Sequence, residues 1–419
     1  MRRREIHLVI HRLVNLPKFF VESTPGSEEN SPIRLVGREF APIYGLFFLM
    51  GIEMYLFSPL LPTIAQDFKV DTGTSSLVVV AYVFVYAIMG PVLGNVSDKT
   101  SRRAMICVGV AIFAIGTLAS PIAPNFALLV CARAVTGLGG AIAGPSSWAY
   151  LAERAPDRIK GKIISFSASV YALGQVIGVP VGTFIASLIG WRNTFLLLGL
   201  LASGLVILLF QMIVPNRPTA SFQTYSLLLP WQSPPIVYAF LATFTLQAAR
   251  LGTYSYVGIL FDTRFGLSLR DLGFVGLLVG VATMCGSIFT GWWFDRVVAA
   301  RSSVHWIGII ITLSVTTFVM LAVLASNLIW SIIFLLIWSF FGAGFQVFVQ
   351  TYIATSAPHL RATVIAWNNS LLHGGIAVGT LLLGLVPVGG GLFTSLAVFL
   401  GLVSAVCCAF IKQTELYTM

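Results

Sequence analysis

Residues 94–103 read GNVSDKTSRR, a polar and basic stretch between two apolar runs. A related stretch, GWWFDR, occupies residues 291–296, and its Gly and Asp repeat Gly94 and Asp98 at an offset of 197. Glycine lets two helices approach closely, while the Asp and the two Arg residues predict a network of charges at helix ends. Basic turns between apolar runs are typical of loops that join membrane-spanning helices.

The composition of the chain requires lipid as its solvent. Of 419 residues, 57% are hydrophobic and 10% are charged, with a mean hydropathy of +0.91. Soluble domains average about 25% charged residues. Because the hydrocarbon core of a bilayer is about 30 Å thick and takes about 20 residues per helix, the chain has room for about twelve spans. Little is left for a soluble catalytic domain.

The apolar runs predict an all-α integral membrane protein with twelve transmembrane helices. We place the spans at approximately 41–63, 75–96, 104–121, 126–148, 163–189, 194–215, 236–261, 272–293, 304–326, 328–352, 363–386 and 392–411. Two of the joins between them are very short.

The positive charge of the chain follows the predicted topology. The formal net charge of +10 could also suggest binding to nucleic acid. With the N terminus in the cytoplasm, however, 19 Lys and Arg residues fall on the cytoplasmic side and four on the other, as the positive-inside rule predicts. We therefore expect both termini in the cytoplasm, a lipid bilayer rather than nucleic acid as the partner, and a bacterial inner membrane as the location.

Residues 1–40 predict a cytoplasmic tail. They contain no uninterrupted apolar run and no small-residue cleavage site, so we expect no removed signal peptide. Residues 22–32, ESTPGSEENSP, predict a mobile linker. Before it, helical spacing predicts a short amphipathic helix at the membrane interface, with an apolar stripe of Ile6, Val9, Ile10, Leu13 and Val14.

The two parts of the chain repeat each other. At an offset of 201, Ser169, Gly174 and Gly178 recur as Ser370, Gly375 and Gly379. Several matches in one order indicate a parallel repeat, whose two pseudo-symmetric halves rock around a central site at the midplane. We therefore divide the chain into a tail (1–40), a six-helix half (41–215), a linker (216–235), a second six-helix half (236–411) and a tail (412–419).

Two further motifs accompany the loop at residues 94–103. Span 4 contains CARAVTGLGGA at residues 131–141, and span 5 contains GQVIGVPVG at residues 174–182. Over about residues 40–411 the chain resembles the major facilitator superfamily, specifically its twelve-span drug:proton antiporter branch. The three motifs are similar to that family's G-x-x-x-D-R-x-G-R-R/K loop, its R-x-x-x-G-x-G motif and its antiporter motif. Lys99 and Ser101 depart from the commonest residues of the first motif.

The resemblance implies alternating access, with the repeated loop as a conformational switch that locks or releases the halves. The residues assigned to this switch are Gly94, Asp98, Arg102, Arg103, Gly291, Asp295 and Arg296. The alternative is an ordinary basic cytoplasmic turn.

The span 5 motif implies export rather than import. Its characteristic residues are Gly174, Gly178, Pro180 and Gly182. Gly and Pro inside a helix kink it and permit close packing, here predicted against the glycines of span 8 at positions 276, 280 and 286. Generic packing of small residues is the alternative.

Three charged residues lie inside the predicted spans. Glu53 costs about 3 kcal/mol or more when it is ionised in lipid, which predicts either a proton carrier or a structural carboxyl with a partner. Arg133 is implied by the resemblance to assist proton handling, or it snorkels to the interface from the outer end of its span. Arg250 follows Glu53 by 197 residues, so it could attract Glu53 across a cavity, anchor an anionic substrate or be a static partner of an ion pair.

Polar and aromatic side chains complete the candidate site. His373 is a third candidate for proton coupling, although a lone His beside Asn368 and Asn369 is also typical of a packed hydrogen-bonding residue. The candidate substrate cavity consists of Glu53, Phe57, Gln247, Arg250, Tyr254, Phe345, Gln346, Gln350 and Trp367, with Trp148 as a further wall. Aromatic residues at helical spacing are also typical of simple packing.

The sequence thus favours a monomeric, proton-coupled antiporter that exports drug-like or metabolite molecules, as in multidrug resistance. A dedicated exporter of sugars, purines or siderophores and an importer or facilitator on the same fold are the alternatives. A membrane enzyme or channel is disfavoured, because the spans contain no nucleophile with a base, no phosphate loop and no polar pore-lining stripe. The five cysteines lie in apolar runs without metal-binding spacing, so we expect no disulfide, metal or cofactor.

Overall fold

The computed structural model describes residues 30–98, 100–156, 159–214, 228–299, 305–357 and 361–411. In these ranges the chain forms twelve long helices: α1 (Asn30–Phe68), α2 (Leu77–Asp98), α3 (Arg102–Ile122), α4 (Phe126–Arg154), α5 (Lys160–Ile189), α6 (Trp191–Met212), α7 (Pro234–Tyr254), α8 (Leu269–Ala299), α9 (His305–Leu324), α10 (Leu328–Ser356), α11 (Arg361–Gly384) and α12 (Gly391–Ala409). The compact body begins at Glu39. The predicted amphipathic helix, most of the predicted linker and the C-terminal tail lie outside the described residues.

Ten of these helices are long and apolar enough to cross a membrane, by length and composition. The other two, α7 and α11, contain polar side chains that are fully or almost fully buried, among them Gln247, Arg250 and Asn368. A helix satisfies its own interior N–H and C=O groups, which is why lipid permits it. The polar faces of α7 and α11 therefore lie inside the protein, where other helices cover them.

The seventh span is interrupted. The helix predicted as continuous over 236–261 ends at Tyr254, and the chain continues as a short helix, Val257–Phe265. Ser58 Oγ of α1 donates a hydrogen bond of 2.7 Å to the carbonyl of Tyr254, so a backbone group freed at the helix end has a partner. Pro59 lies inside α1 beside this contact, and Gly258 of the short helix packs against the backbone of Ser58 and Pro59. Both helices are thus irregular where they meet.

The two halves have the same internal packing, which confirms the predicted two-half architecture. In the first half α3 packs on α4 and α6, and α2 packs on α4. The second half repeats these contacts, since α9 packs on α10 and α12, and α8 packs on α10. Contacts of α2 with α11 and of α5 with α8 join the halves.

The glycines of α5 pack against α1. A Cβ atom at Gly174 would overlap the carbonyl oxygen of Phe48, and one at Gly178 would overlap the side chain of Ile52. Because two backbones can approach this closely only without side chains between them, the motif glycines bring α5 onto the helix that carries Glu53. Gly182 faces Leu56 of α1 in the same way.

The predicted contact between α5 and α8 is present, but it uses other residues of α5. Val179 fills the space above Gly276 of α8, and Val176 fills the space above Gly280. Gly286 was predicted to join this contact, and that prediction was wrong, because Gly286 faces Phe340 of α10. The face of α5 that carries Val176 and Val179 therefore forms the contact between the halves.

The halves meet at the end of the bundle that carries the α1–α2 and α5–α6 connections. We call it the outer end, after the predicted orientation, and the opposite end the inner end. The Tyr256 hydroxyl lies 2.8 Å from Ser76 Oγ of the other half, and Arg270 Nε donates to Ser187 Oγ at 3.1 Å. Towards the middle, the contacts reach Gly90 of α2, which lies against Ser370 of α11.

Beside this contact the α1–α2 connection has a hydrogen-bonded turn. Asp71 accepts hydrogen bonds from the hydroxyl and the backbone N–H of Thr74 and precedes the short helix Thr72–Ser75. These bonds stabilise the ionised carboxylate and lower the pKa of Asp71. The carboxyl itself is exposed.

The close contact of α5 with α1 can be tested by adding one methyl group. Gly174→Ala should lower the free energy of unfolding by about 1–3 kcal/mol, because the new Cβ meets backbone that cannot move alone. Gly204→Ala on α6, where a Cβ meets open space, should leave stability unchanged or raise it by roughly 0.5–1 kcal/mol. Denaturant unfolding in detergent, followed by tryptophan fluorescence, measures both variants. Equal changes in the two would contradict the packing described.

Candidate functional site

A cavity lies between the two halves. Helices α1, α2 and α4 of the first half and α7 and α11 of the second contribute its wall. The lining residues are Glu53, Met54, Tyr55, Phe57, Ser58, Val79, Tyr82, Val83, Arg133, Leu251, Tyr254, Ser255 and Ile376. An apolar wall with a few convergent polar groups is typical of small-molecule sites.

Glu53 and Arg133 form a buried ion pair in this wall. Arg133 Nη1 contacts Glu53 Oε1, and each side chain is 2% exposed. Arg133 Nε donates to the carbonyl of Val78 at 3.2 Å, and the guanidinium lies 3.9 Å from the ring centroid of Phe57 and 4.9 Å from that of Tyr82. The alternative in which Arg133 snorkels to the membrane interface is therefore wrong, because its charge is neutralised inside the protein.

Glycines of α4 give the pair its geometry. A Cβ at Gly137 would overlap the backbone of Tyr82 in α2, and one at Gly139 would overlap the backbone of Phe113 in α3. The spacing R-x-x-x-G-x-G thus draws α4 against two neighbouring helices, one turn away from Arg133. This approach brings the guanidinium within reach of both Glu53 and the carbonyl of Val78.

Arg250 does not meet Glu53. Its Nη1 lies 3.4 Å from Gln247 Oε1, and its side chain lies against Gly342 of α10. The hypothesis that Glu53 and Arg250 attract each other across the cavity is not met in this structure, because Arg133 occupies the carboxylate. The two charged residues belong to separate clusters, one in each half.

The packing also explains why the offset of 197 was misleading. Phe48 of α1 and Phe244 of α7 are at equivalent positions in the two halves. The carbonyl of Phe48 lies against Gly174 of α5, and that of Phe244 lies against Gly375 of α11. The offset between α1 and α7 is therefore 196, the step from 48 to 244. Glu53 then corresponds to Ala249, and Arg250 lies about 100° further around its helix, towards α10.

The remaining cavity candidates divide into three groups. Phe57 and Tyr254 line the cavity, as predicted. Gln247 Nε2 donates to Gln346 Oε1 at 3.1 Å, next to Arg250. These two amides join α7 to α10.

Three candidates lie away from the cavity wall. Phe345 is fully buried and packs on Phe348, and Trp367 meets Trp231 edge to face with ring centroids 5.2 Å apart. Gln350 is half-buried on α10 and does not line the cavity. Trp148, the additional wall candidate, stacks on Phe47 at 4.3 Å instead.

His373 lies in the contact between the halves. Its ring stacks on Tyr86 of α2 with centroids 4.0 Å apart, and its Nδ1 lies 2.7 Å from the carbonyl of Asn369. These are the contacts of a packed, hydrogen-bonded histidine. A role of His373 in proton coupling stays a prediction.

The two arginines of the first loop motif bind within their own half. Arg102 donates to Glu153 of α4 from both Nε and Nη2, at 3.0 and 2.8 Å. Arg103 contacts the carbonyl of Phe210 in α6 and lies 4.4 Å from the centroid of its ring. These contacts attach the start of α3 to α4 and α6.

The other members of the predicted switch are described only in part. Arg296 lies 3.8 Å from the ring centroid of Trp292 on its own helix, and Gly291 has open space beside it. The surroundings of Gly94 and the side chains of Asp98 and Asp295 lie outside the described residues. Control of the halves by this loop stays a prediction.

Sequence analysis missed several residues of the site. Tyr82 lines the cavity and supports Arg133, and Tyr55 meets Tyr254 of the other half with ring centroids 5.3 Å apart. A usable signal existed, because Tyr82 and Tyr86 repeat at helical spacing in an otherwise apolar helix. The sequence contains no comparable signal for Ser58, since a lone hydroxyl in a span is more often hydrogen-bonded to its own helix.

Comparison with known proteins identifies the family. The sequence matches the model of the Major Facilitator Superfamily over residues 43–380. The chain belongs to this superfamily. It is 26% identical over 385 residues to YceJ, an MFS-type transporter of Bacillus subtilis, in an alignment that covers 89% of this chain and 94% of the relative.

Two further proteins are similar over most of the chain. A "probable sugar efflux transporter" of Pasteurella multocida is 26% identical over 345 residues, which cover 80% of this chain and 82% of that protein. The crystal structure of a bacterial homologue of the human lysosomal transporter Spinster has a TM-score of 0.71 at 15% identity, covering 92% and 95% of the two chains. The protein is thus a multi-pass membrane transporter of small molecules.

A double-mutant cycle tests whether Glu53 and Arg133 are coupled. Glu53→Gln and Arg133→Met should each lower the free energy of unfolding by about 3–5 kcal/mol, because each leaves a buried polar partner unpaired. The double variant should cost clearly less than the sum of the two. Breaking the half-exposed pair of Arg192 with Asp67, each 38% exposed, through Arg192→Met should cost about 1 kcal/mol or less. Additive effects at Glu53 and Arg133 would exclude the coupling.

Proposed function

We propose that this transporter is a proton-coupled antiporter that exports drug-like or metabolite molecules from the cytoplasm by alternating access. The observation that carries the proposal is the buried ion pair of Glu53 and Arg133 in the wall of the central cavity. An ionisable pair inside a membrane is expensive, and it is typically retained for function. The proposal includes a monomer in a bacterial inner membrane, with both termini in the cytoplasm.

Glu53 has the chemistry of a proton carrier. It is the one carboxyl group among the described residues of the cavity wall, and Arg133 is its partner there. A proton on Glu53 removes the attraction that holds the guanidinium. Arg133 then retains its hydrogen bond to the carbonyl of Val78 and its cation–π contacts with Phe57 and Tyr82. These contacts stabilise its charge while Glu53 is neutral.

The contacts of Arg133 also offer a route from protonation to movement of the halves. Val78 and Tyr82 belong to α2, and α2 packs on α11 of the other half. A change in the bond between Arg133 and Glu53 therefore changes the contacts that Arg133 makes with α2, the helix that packs on the other half. Protonation and the alternating opening of the two ends are coupled through this helix.

Export is supported by the packing of α5. The motif glycines hold α5 on α1 beside Glu53, while the other face of α5 contacts α8 of the second half. Helix α5 thus contacts both α1, which carries Glu53, and α8 of the other half. The direction of transport itself rests on the resemblance of the span 5 motif to that of antiporters.

A dedicated sugar exporter is the second candidate. It is favoured by the similarity to the Pasteurella multocida protein named as a probable sugar efflux transporter. The cavity wall contains hydroxyl groups from Tyr55, Ser58, Tyr82 and Ser255 that could bind sugar hydroxyls. Selective export of neutral sugars, without export of aromatic drugs, would favour this candidate.

Replacement of Glu53 tests proton coupling directly. Glu53→Gln should reduce transport driven by a pH gradient at least tenfold, because the amide cannot carry a proton, while exchange of substrate for substrate should continue. Both are measured in proteoliposomes with ethidium, chloramphenicol, salicylate and lactose as probes. Asp71→Asn, at an exposed carboxyl of the outer end, is the matched control and should transport as the wild type does. Undiminished gradient-driven transport by Glu53→Gln would remove Glu53 from the coupling step.

Cross-linking tests alternating access. A Cβ at Gly273 of α8 would lie 3.1 Å from the Cβ of Thr183 in α5 of the other half, close to the separation in a disulfide. In a background without the five native cysteines, oxidation of Thr183→Cys/Gly273→Cys should stop transport, because the outer end can no longer open. The chain supplies a matched pair within one half, Thr290→Cys/Gly344→Cys, with a separation of 3.2 Å. Oxidation of that pair should leave transport intact, and arrest by both pairs or by neither would contradict a rocking motion of the halves.

A further inference from the structure

The C-terminal half contains a buried positive charge without a carboxylate partner. Arg250 is 5% exposed, and within the described part of the chain no carboxylate forms an ion pair with it. Its Nε is buried and has no hydrogen-bond partner. In the described ranges its guanidinium has one hydrogen bond, the long contact of Nη1 with Gln247 Oε1 at 3.4 Å.

The surroundings of Arg250 are shaped to hold a guanidinium. The side chain lies in the space left by Gly342 of α10, where a Cβ would overlap Nε and Cζ. Gln247 and Gln346, bonded to each other at 3.1 Å, lie beside it. Arg250 lies one helical turn before Tyr254, which lines the central cavity, so the arginine lies next to the cavity wall without being part of it.

The charges of the site do not cancel. Glu53 is paired with Arg133, and among the described residues no carboxylate pairs with Arg250, which leaves its positive charge uncompensated there. Burial of an unpaired charge is costly, and a neutral or cationic solute would leave that cost in place. A carboxylate, sulfonate or phosphate could accept two parallel hydrogen bonds from the N–H groups of the guanidinium.

We infer that the transported solute carries an acidic group that binds Arg250, with Gln247 and Gln346 as neighbouring polar contacts. The apolar part of the solute then lies in the cavity against Tyr254, Phe57 and Ile376. This inference rests on the proposed function for the direction of transport and for its coupling to protons, but binding of the anion does not depend on either. It makes the substrate an amphipathic organic anion.

A matched series of probes tests the inference on the purified full-length protein. 4-Nitrobenzoate, 4-nitrobenzamide and 4-nitrobenzylammonium share one ring and differ in charge, and naphthalene and phenyl scaffolds with sulfonate and phosphate groups extend the series. We expect thermal stabilisation and binding at least tenfold stronger for the anions than for their neutral or cationic counterparts. Arg250→Gln should remove that preference, and Arg250→Lys should restore part of it. Lack of anion preference on every scaffold, or a preference that survives Arg250→Gln, would overturn the inference.

Two further variants separate this inference from the proposed function. Glu53→Gln should keep the preference for anions even where it loses proton coupling, so failure of one claim leaves the other measurable. Without any ligand, Arg250→Gln should not lower the unfolding midpoint, because it removes an unpaired charge. Arg102→Gln, which removes an equally buried arginine that is paired with Glu153, should lower it. A loss of stability in Arg250→Gln as large as that in Arg102→Gln would assign Arg250 a structural partner and overturn the inference.

Discussion

The ion pair of Glu53 with Arg133 is the interaction on which the site depends. Each charge alone would be costly at this depth, because no second charge of opposite sign lies among the described residues of the wall. Their pairing neutralises the N-terminal half. Arg250 of the other half takes no part in this pair, since Arg133 is the partner of Glu53 and the Arg250 side chain lies against Gly342 of α10. A positive charge therefore remains beside the cavity, and the preference for anions that we infer follows from it.

Glycine residues, which have no side chain, make this arrangement possible. Helices in lipid gain little from hydrophobic association, so close backbone contact supplies much of their attraction. Gly174 and Gly178 let α5 lie on α1, Gly137 lets α4 lie on α2, and Gly342 leaves the space that Arg250 occupies. In each case the glycine makes room for a charged side chain or for the helix that carries it. The motifs of α4 and α5 thus act first through helix packing, and their chemistry depends on that packing.

The two halves touch through elements that can change partners. At the outer end the contacts include single hydrogen bonds, such as that of the Tyr256 hydroxyl with Ser76, and α5 meets α8 through valines packed on glycines. Such contacts are individually weak, so separating them does not require breaking a core. Inside the first half, by contrast, arginines paired with carboxylates, such as Arg102 with Glu153, attach helices to each other. Rigid halves joined by weak contacts are the physical condition for a rocking motion.

Twelve helices, two repeated halves and membership of a transporter superfamily followed from the sequence alone, because hydropathy, helix length and repeated motifs are properties of the chain in one dimension. Glu53 and Arg133 could also be recognised, since charges in apolar spans are rare. Their pairing could not, because the two residues are 80 positions apart and only the approach of α4 to α1 and α2 brings them together. The same holds for Arg250: an offset of one residue in the repeat turns a side chain by about 100°, which moves it from the facing half to α10. Which charges meet, and which one stays free for a substrate, is decided by helix rotation and packing, and those exist only in the tertiary structure.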